Sequence, residues 1–139
     1  MSVMTIHDVE FGQELDAFQP DTSLANTSAF AEAVAYTGNG RFEDHEKAKA
    51  QGLPGALVPG IMGMAFFSSV IHQWSPTARI EKMDTVFRAP MLADTKISVS
   101  VIVTDMDEET GDVELDLTIK NEAQETRVMG TASVKLPLE

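Results

Sequence analysis

The chain has 139 residues, which corresponds to a single domain spanning 1–139, and its 43% hydrophobic and 23% charged residues exclude disordered and fibrous proteins. Its 10 Lys and Arg against 22 Asp and Glu give a formal net charge of −12, which argues against nucleic acid or an anionic membrane surface as a partner. It has no cysteine, which excludes disulfides, thiolate metal sites and a cysteine nucleophile.

The first half of the chain is predicted to be helical after a short opening. Met1–Glu10 is acidic and lacks a basic segment followed by an apolar one, so we expect a cytoplasmic protein rather than a secreted one. Thr27 or Ser28 is expected to cap a helix that continues to Tyr36, and Asp44–Gln51 is expected to form a short helix stopped by Gly52.

Ile61–Trp74 is predicted to be an apolar helix that begins after Pro59-Gly60 and ends at Ser75-Pro76. As a helix, the unbroken segment from Gly60 would span only ~22 Å, which is too short for a ~30 Å hydrocarbon core. Apolar residues occur on nearly every side, which predicts a helix buried inside a protein rather than in a membrane.

The second half shows alternating apolar and polar residues, which is typical of strands with one buried face. Hairpin connections are expected at Thr110-Gly111 and Asn121–Gln124. The predicted strands, which would form an antiparallel meander, are Ala78–Ala89, Thr95–Thr104, Asp112–Lys120 and Arg127–Leu136.

Together these elements predict an α+β architecture, since one-sided strands must cover their apolar face and an apolar helix must be enclosed. The arrangement that satisfies both needs is a hot-dog fold, in which an antiparallel sheet wraps around the long central helix. Ordinary packing of the helix on one side of a sheet is the alternative, and it fits the apolar circumference of the helix less well.

The chemistry that the residues offer is limited. Gly60 would allow a ligand to approach the free amides of a helix N-terminus, where a carbonyl could be polarised, although a plain loop before a helix explains the same residues. Ser68 and His72 lie four residues apart on the apolar helix, and Asn39, Asp44 and His45 are the remaining polar candidates, with helix capping the simplest role for Asp44. The acidic cluster Asp105, Asp107 and Glu109 fits a solvated turn better than a calcium loop, because Thr110 stands where such a loop requires glycine.

Several short segments, in this order, resemble MaoC-like hydratases, which are hot-dog domains related to (R)-specific enoyl-CoA hydratases and acyl-thioester dehydratases. The resemblance covers about residues 25–137. The matching segments are Phe30-Ala31-Glu32-Ala33, Gly52-Leu53-Pro54-Gly55, Pro59-Gly60-Ile61, Phe87-Arg88-Ala89-Pro90 and Asp94-Thr95.

The resemblance implies an acyl-CoA or acyl-carrier thioester as ligand, with its carbonyl received at Pro59, Gly60 and Ile61. It implies no metal and no redox cofactor, and a dimer whose sheets join edge to edge. In the family, a loop of the pattern S-G-D-x-N-P-x-H-x-D supplies the Asp and His that hold water and move a proton.

The catalytic loop of this chain departs from that pattern. In one register Asn39 and Asp44 match the Asn and the second Asp, while Thr37 and Phe42 occupy the positions of the catalytic Asp and His. In the other register Asn39 takes the Asp position and Asp44 the His position, with His45 one residue late. His45 is then the best substitute base, and an exposed histidine on a short helix is the simpler interpretation.

Three functional hypotheses follow from the resemblance. The first is hydratase or dehydratase chemistry on acyl thioesters by a relative with altered acid–base groups. The second is a non-catalytic acyl-binding subunit of a hot-dog heterodimer, paired with an active hot-dog partner. For the oligomer itself, both a homodimer and a hot-dog heterodimer stay open. The third is thioester hydrolysis, which ranks lowest because no Asp or Glu occurs between Glu46 and Glu81.

Overall fold

The computed structural model describes residues 2–139, and Met1 lies outside the described part. Among these residues no helix is long and apolar enough to cross a membrane. The helices are a 3-10 turn at Ile6–Asp8, α1 at Leu24–Ala33, α2 at His45–Ala50 and α3 at Gly60–Trp74. The strands are β1 at Leu57–Val58, β2 at Arg79–Phe87, β3 at Met91–Leu92, β4 at Ile97–Asp107, β5 at Asp112–Asn121 and β6 at Thr126–Lys135.

The main sheet has four antiparallel strands in the order β2-β6-β5-β4, and β1 pairs separately with β3. Both predicted hairpins are confirmed. Asp107 pairs with Asp112 around a turn that ends at Gly111, and Gly111 has a φ of 82°, which glycine adopts without strain. The second turn closes with a hydrogen bond from the Gln124 N–H to the Asn121 carbonyl.

The predicted four-strand meander is wrong at its first strand. β2 pairs with β6, with Phe87 opposite Val128, instead of pairing with β4. The reason is the connection 88–96, which contains β3 and carries the chain to the opposite edge of the sheet. A meander would need a short hairpin in its place.

The hydrophobic core lies between the sheet and α3. The alternating residues of β4 and β5 are buried as the sequence pattern predicts, and they form one cluster with the buried face of α3. This confirms the α+β hot-dog fold. The helix contributes Met62, Phe66, Phe67, Val70, Ile71 and Trp74 to this cluster.

Helix α3 is buried on one side rather than all round. Ile61 is 40% exposed, and Ala65, Ser69 and His72 are exposed as well. These residues recur at helical spacing, so they form one stripe, and in a single chain the sheet covers only the opposite face.

Helix α1 begins four residues earlier than predicted. Ser23 is the N-cap, and its hydroxyl accepts a hydrogen bond from the Asn26 N–H. The Thr27 and Ser28 hydroxyls donate to carbonyls three residues back, so neither caps the helix. The helix ends before the predicted Tyr36, because Ala35 adopts a φ of 62°.

Candidate functional site

The N-terminus of α3 presents free backbone donors. Pro59 is the N-cap and supplies no side-chain acceptor. In the described part of the chain, the N–H groups of Gly60 and Ile61 have no hydrogen-bond acceptor, while the Met62 N–H donates to the Pro59 carbonyl at 2.9 Å. Two free amides at the positive end of a 15-residue helix dipole can bind a carbonyl oxygen or an anion.

A cavity of about 370 Å³ opens beside Gly60, and we call it the Gly60 cavity. The ring of Phe87 lies against Gly60, since a Cβ built on Gly60 would stand 3.3 Å from two ring atoms. Among the described residues that line it, Arg88 alone has a titratable side chain. The walls are Phe42, Leu57, Val58, Gly60, Phe87, Arg88, Ala89, Pro90, Met91 and Val128.

Phe42 forms part of the cavity wall, at the chain position that corresponds to the catalytic His in one register of the sequence comparison. Its ring packs against Tyr36 with 5.9 Å between centroids. Thr37 lies elsewhere, exposed beside Ser28, Glu32 and Glu43 on a different surface depression. The loop therefore turns an apolar ring toward the cavity and its polar side chains away from it.

Asn39 and Asp44 hold the loop and the start of α2. The Asn39 side-chain oxygen accepts the Arg41 N–H at 3.1 Å. Asp44 is the N-cap of α2, as predicted, and its carboxylate accepts the N–H groups of Glu46 and Lys47 at 2.8 and 3.0 Å. The hydrogen bonds from Lys47 and Glu46 lower the pKa of the Asp44 carboxyl below its ordinary value.

His45 forms an imidazole–carboxylate pair with Asp94. Its Nε2 lies 2.7 Å from Asp94 Oδ2, and its Nδ1 accepts the Ala56 N–H at 3.0 Å. Because Nδ1 accepts a hydrogen bond, the ring proton of neutral His45 sits on Nε2 and is donated to Asp94. Neither residue lines the Gly60 cavity. The pair joins α2 to the loop before α3, and an acid–base role for His45 stays a prediction.

Asp94 also accepts the Leu24 N–H at 3.0 Å through its other oxygen, so it supports the start of α1. The hydrogen bond from His45, and next that from Leu24, lower the pKa of the Asp94 carboxyl. Sequence reasoning did not identify Asp94 as a site residue, although Asp94-Thr95 belonged to the segments that carry the family resemblance. His45 and Asp94 are 49 residues apart in the sequence, so their contact leaves no signal in the local residue pattern.

The other polar candidates have local partners. The Ser68 hydroxyl donates to the Met64 carbonyl at 3.0 Å, and His72 Nε2 lies 3.3 Å from the Ala78 carbonyl. In the acidic turn, the Asp107 carboxylate accepts the Glu109 N–H at 2.9 Å. Within residues 2–139 no group of three or more His, Asp or Glu side chains is arranged to hold a metal ion.

Comparisons with known proteins agree with this architecture. No protein-family model matches the chain, and the search of curated proteins found no significant match. Solved structures do match, and those described as MaoC-like dehydratases are among them.

Three of the matching structures show the extent of the likeness. An (R)-hydratase from A. caviae involved in PHA biosynthesis matches with a TM-score of 0.84 and 24% identity, over 93% of this chain and 98% of that one. R-hydratase PhaJ1 from Pseudomonas aeruginosa gives 0.87 and 20%, over 98% and 87% of the two chains. The ChsH1–ChsH2 complex from Mycobacterium tuberculosis gives 0.81 and 18%, over 92% and 98%. The chain therefore has the hot-dog fold that MaoC-like dehydratases and (R)-hydratases share.

Proposed function

We propose that this chain is a MaoC-like hot-dog subunit that binds acyl thioesters beside the N-terminus of α3. The observation that carries the proposal is the Gly60 cavity, which borders Gly60 at the helix start, where the N–H groups of Gly60 and Ile61 have no acceptor among the described residues. Those amides suit a thioester carbonyl oxygen, and the apolar walls suit an acyl chain. Neither interaction requires a metal or a redox cofactor.

Binding without turnover is the activity that the cavity lining favours for this chain alone. Hydration adds the oxygen of water to the β-carbon of an enoyl thioester and a proton to the α-carbon, so it needs a group that takes a proton from water and one that supplies a proton to carbon. The lining residues include no carboxylate and no imidazole, and the Arg88 guanidinium stays protonated. Since each positioned acid or base raises the reaction rate by ~10²–10⁴-fold, hydration without them would be very slow.

Hydratase or dehydratase activity in a complex is the second candidate. It is favoured by the likeness to the ChsH1–ChsH2 complex, in which ChsH1 and ChsH2 are assembled together. A second chain carrying the Asp and His would supply the groups that Thr37 and Phe42 replace here. Thioester hydrolysis ranks below both, because no carboxylate borders the Gly60 cavity.

The surface that fits such a partner, or a second copy, is the free edge of β2. β2 pairs with β6 on one side only, and Val86 and Phe87 are exposed at its end near the cavity. An exposed strand edge with apolar side chains favours pairing with another strand. We therefore propose an edge-to-edge dimer, either of two copies or of this chain with another hot-dog chain.

The test measures binding and turnover separately with the purified chain. Isothermal titration with butanoyl-CoA should show saturable binding, and crotonyl-CoA should lose no enoyl absorbance beyond the rate in buffer. Co-purification with a hot-dog chain that carries the Asp and His should then give turnover. Turnover by the chain alone would refute the non-catalytic role, and absence of acyl-CoA binding would refute the proposal as a whole.

A further inference from the structure

Arg127 is a largely buried guanidinium without adequate acceptors. Ile119 pairs with Val128 and Lys120 with Thr126, so Arg127 falls at a bulge and has no partner residue on β5. Its side chain is 20% exposed, and its Nε is buried with no hydrogen-bond acceptor among residues 2–139. Its ion pair with Glu125 is long, at 3.6 Å from Nη2 to Oε2. A buried donor without an acceptor is costly, which points to an acceptor supplied by a ligand.

A second cavity of about 280 Å³ lies against this side chain, and we call it the Arg127 cavity. It shares Pro90 and Met91 with the Gly60 cavity, so the two cavities meet along the same two residues. Glu122 also borders it, but the Glu122 carboxylate is engaged by the Lys96 N–H at 3.3 Å. The remaining walls are Leu92, Thr95, Ile97, Asn121 and Ala123.

Arg88 brings a second positive charge to the neighbouring Gly60 cavity. Its backbone N–H donates to the Arg127 carbonyl at 2.8 Å, and its side chain borders the Gly60 cavity. No carboxylate of the described residues forms an ion pair with Arg88, whose guanidinium contacts the Met129 sulfur at 3.7 Å. The chain has a net charge of −12, so two arginines at neighbouring apolar cavities make this region positive in a protein that is otherwise strongly negative.

We propose that Arg127 and Arg88 bind the anionic group of the thioester ligand. The inference rests on the proposed function and adds a chemical class to it: the ligand carries a carboxylate or phosphate as well as an apolar chain. Its carbonyl lies at the α3 amides, its apolar segment lies along Pro90 and Met91, and its anion lies on the two guanidinium groups. The anion is either a carboxylate on the acyl chain or a phosphate of the carrier.

Three thioesters distinguish these sources by isothermal titration at constant ionic strength. Pentanoyl-CoA carries only carrier phosphates, glutaryl-CoA adds a terminal carboxylate, and S-pentanoyl-pantetheine has neither. The variants are R127K, which keeps the charge but loses the fork of donors, and R88Q, whose exposed position makes misfolding a minor concern. The matched control is R41Q, since Arg41 is exposed and borders neither cavity.

We expect R127K and R88Q each to weaken binding by about tenfold or more, because a charge-assisted hydrogen bond is lost. If the anion is a phosphate, both CoA esters are affected and the pantetheine ester is not. If it is the acyl carboxylate, only glutaryl-CoA is affected. Equal affinity of R127K, R88Q and R41Q for all three probes would overturn the inference while leaving the proposed function in place.

The arginines can also be tested if the wild-type chain binds no thioester, a result that would refute the proposed function. Titration with pyrophosphate and with glutarate, followed by NMR of the arginine Nε–H groups, reports directly on the anion site. A shift of the Arg127 Nε–H that saturates, and that is unchanged in R41Q, supports an anion site. No shift with either anion overturns it.

Discussion

At residue 94, one carboxylate connects parts of the chain that are far apart in sequence. Asp94 receives hydrogen bonds from His45 in α2 and from the Leu24 N–H at the start of α1. His45 in turn accepts the Ala56 N–H, shortly before the N-terminus of α3. The segment that presents the Gly60 amides is thus held by a pair of side chains that do not border the cavity themselves.

D94N should lower stability at neutral pH and lose that effect in acid. The hydrogen bonds from His45 and Leu24 lower the pKa of Asp94 in the folded state, so its ionised form stabilises the fold above the unfolded pKa of about 3.9. That contribution is lost as the pH falls through the lower folded pKa. Urea unfolding at pH 7 and below pH 4 measures the difference between wild type and variant, which should shrink in acid.

The control for this comparison is D116N, because Asp116 is exposed and its carboxylate accepts no hydrogen bond among the described residues. It should change stability little at either pH. A loss in D94N that persisted unchanged below pH 4 would contradict the role of the ionised carboxylate.

Gly60 should be required for ligand binding rather than for stability. In G60A the new Cβ would stand 3.3 Å from the Phe87 ring, which is half exposed and can yield. Alanine also favours a helix over glycine by about 1 kcal/mol, which offsets the crowding. We expect little change in the free energy of unfolding but a loss of roughly tenfold in acyl-CoA affinity, because the variant keeps the N–H of residue 60 but its methyl group hinders the approach of the thioester carbonyl oxygen.

G63A is the matched control on the same helix. Gly63 does not itself line the Gly60 cavity, and a Cβ on it would meet the buried Ile119 at 3.2 Å, with the wall residues Met91 and Val128 farther away at 3.5 and 3.7 Å. It should lower the unfolding midpoint more than G60A and leave the affinity of the folded protein closer to wild type. If G63A lowered the acyl-CoA affinity more than G60A did, Gly60 would not belong to the binding site.

At the scale of elements, the sequence predicts those strands that alternate in burial. β4 and β5 alternate between buried and exposed residues, because one face packs on α3. β2 lies at the sheet edge and is mostly exposed, so its residues do not reveal that β6 is its neighbour. The start of α1 was predicted too late for a similar reason, because Asp94, which accepts the Leu24 N–H, lies 70 residues away in the sequence.

The pairing of β2 with β6 depends on Gly130. A Cβ on Gly130 would overlap the Asp84 carbonyl oxygen of β2, so the two strands would have to separate. We expect G130A to destabilise the protein by about 1–3 kcal/mol or more, as in other overpacked sites. T131A, at an exposed neighbouring position, is the control for urea unfolding. If G130A and T131A had similar free energies of unfolding, β2 could move away from β6 at Gly130 with little loss of stability.

At the scale of the whole molecule, the sequence and its family resemblance predicted the fold and the start of the long apolar helix after Pro59. They did not predict which side chains would line the cavity. Phe87 reaches it from the end of β2, and Arg88 and Pro90 reach it from the connection that follows. This segment runs beside Gly60 only because β2 pairs with β6. Long-range placement of this kind has no periodic signature in a sequence.

The net charge of −12 opposes association of two copies, except where the charges balance. The β2 edge meets this condition. Its charged residues are Arg79, Glu81, Lys82 and Asp84, which sum to zero. In a two-fold antiparallel pairing centred on Met83, Lys82 of each copy faces Asp84 of the other. Within one chain these two side chains already form an ion pair at 3.1 Å, so they lie on the same side of the strand.

K82D and D84K should each weaken the dimer, although they change the net charge of the chain in opposite directions. K82D places two carboxylates opposite each other, and D84K places two ammonium groups opposite each other, so each creates like-charge pairs across the interface. The double variant K82D/D84K restores opposite charges and should recover the wild-type dimerisation constant, measured by sedimentation equilibrium. If overall charge controlled association, D84K would instead strengthen the dimer. The double variant keeps the wild-type net charge and would match wild type under either explanation, so D84K alone is the variant that decides between them. If the wild-type protein is monomeric, the β2 edge does not join two copies of this chain, and pairing with a different hot-dog chain is the proposal that remains.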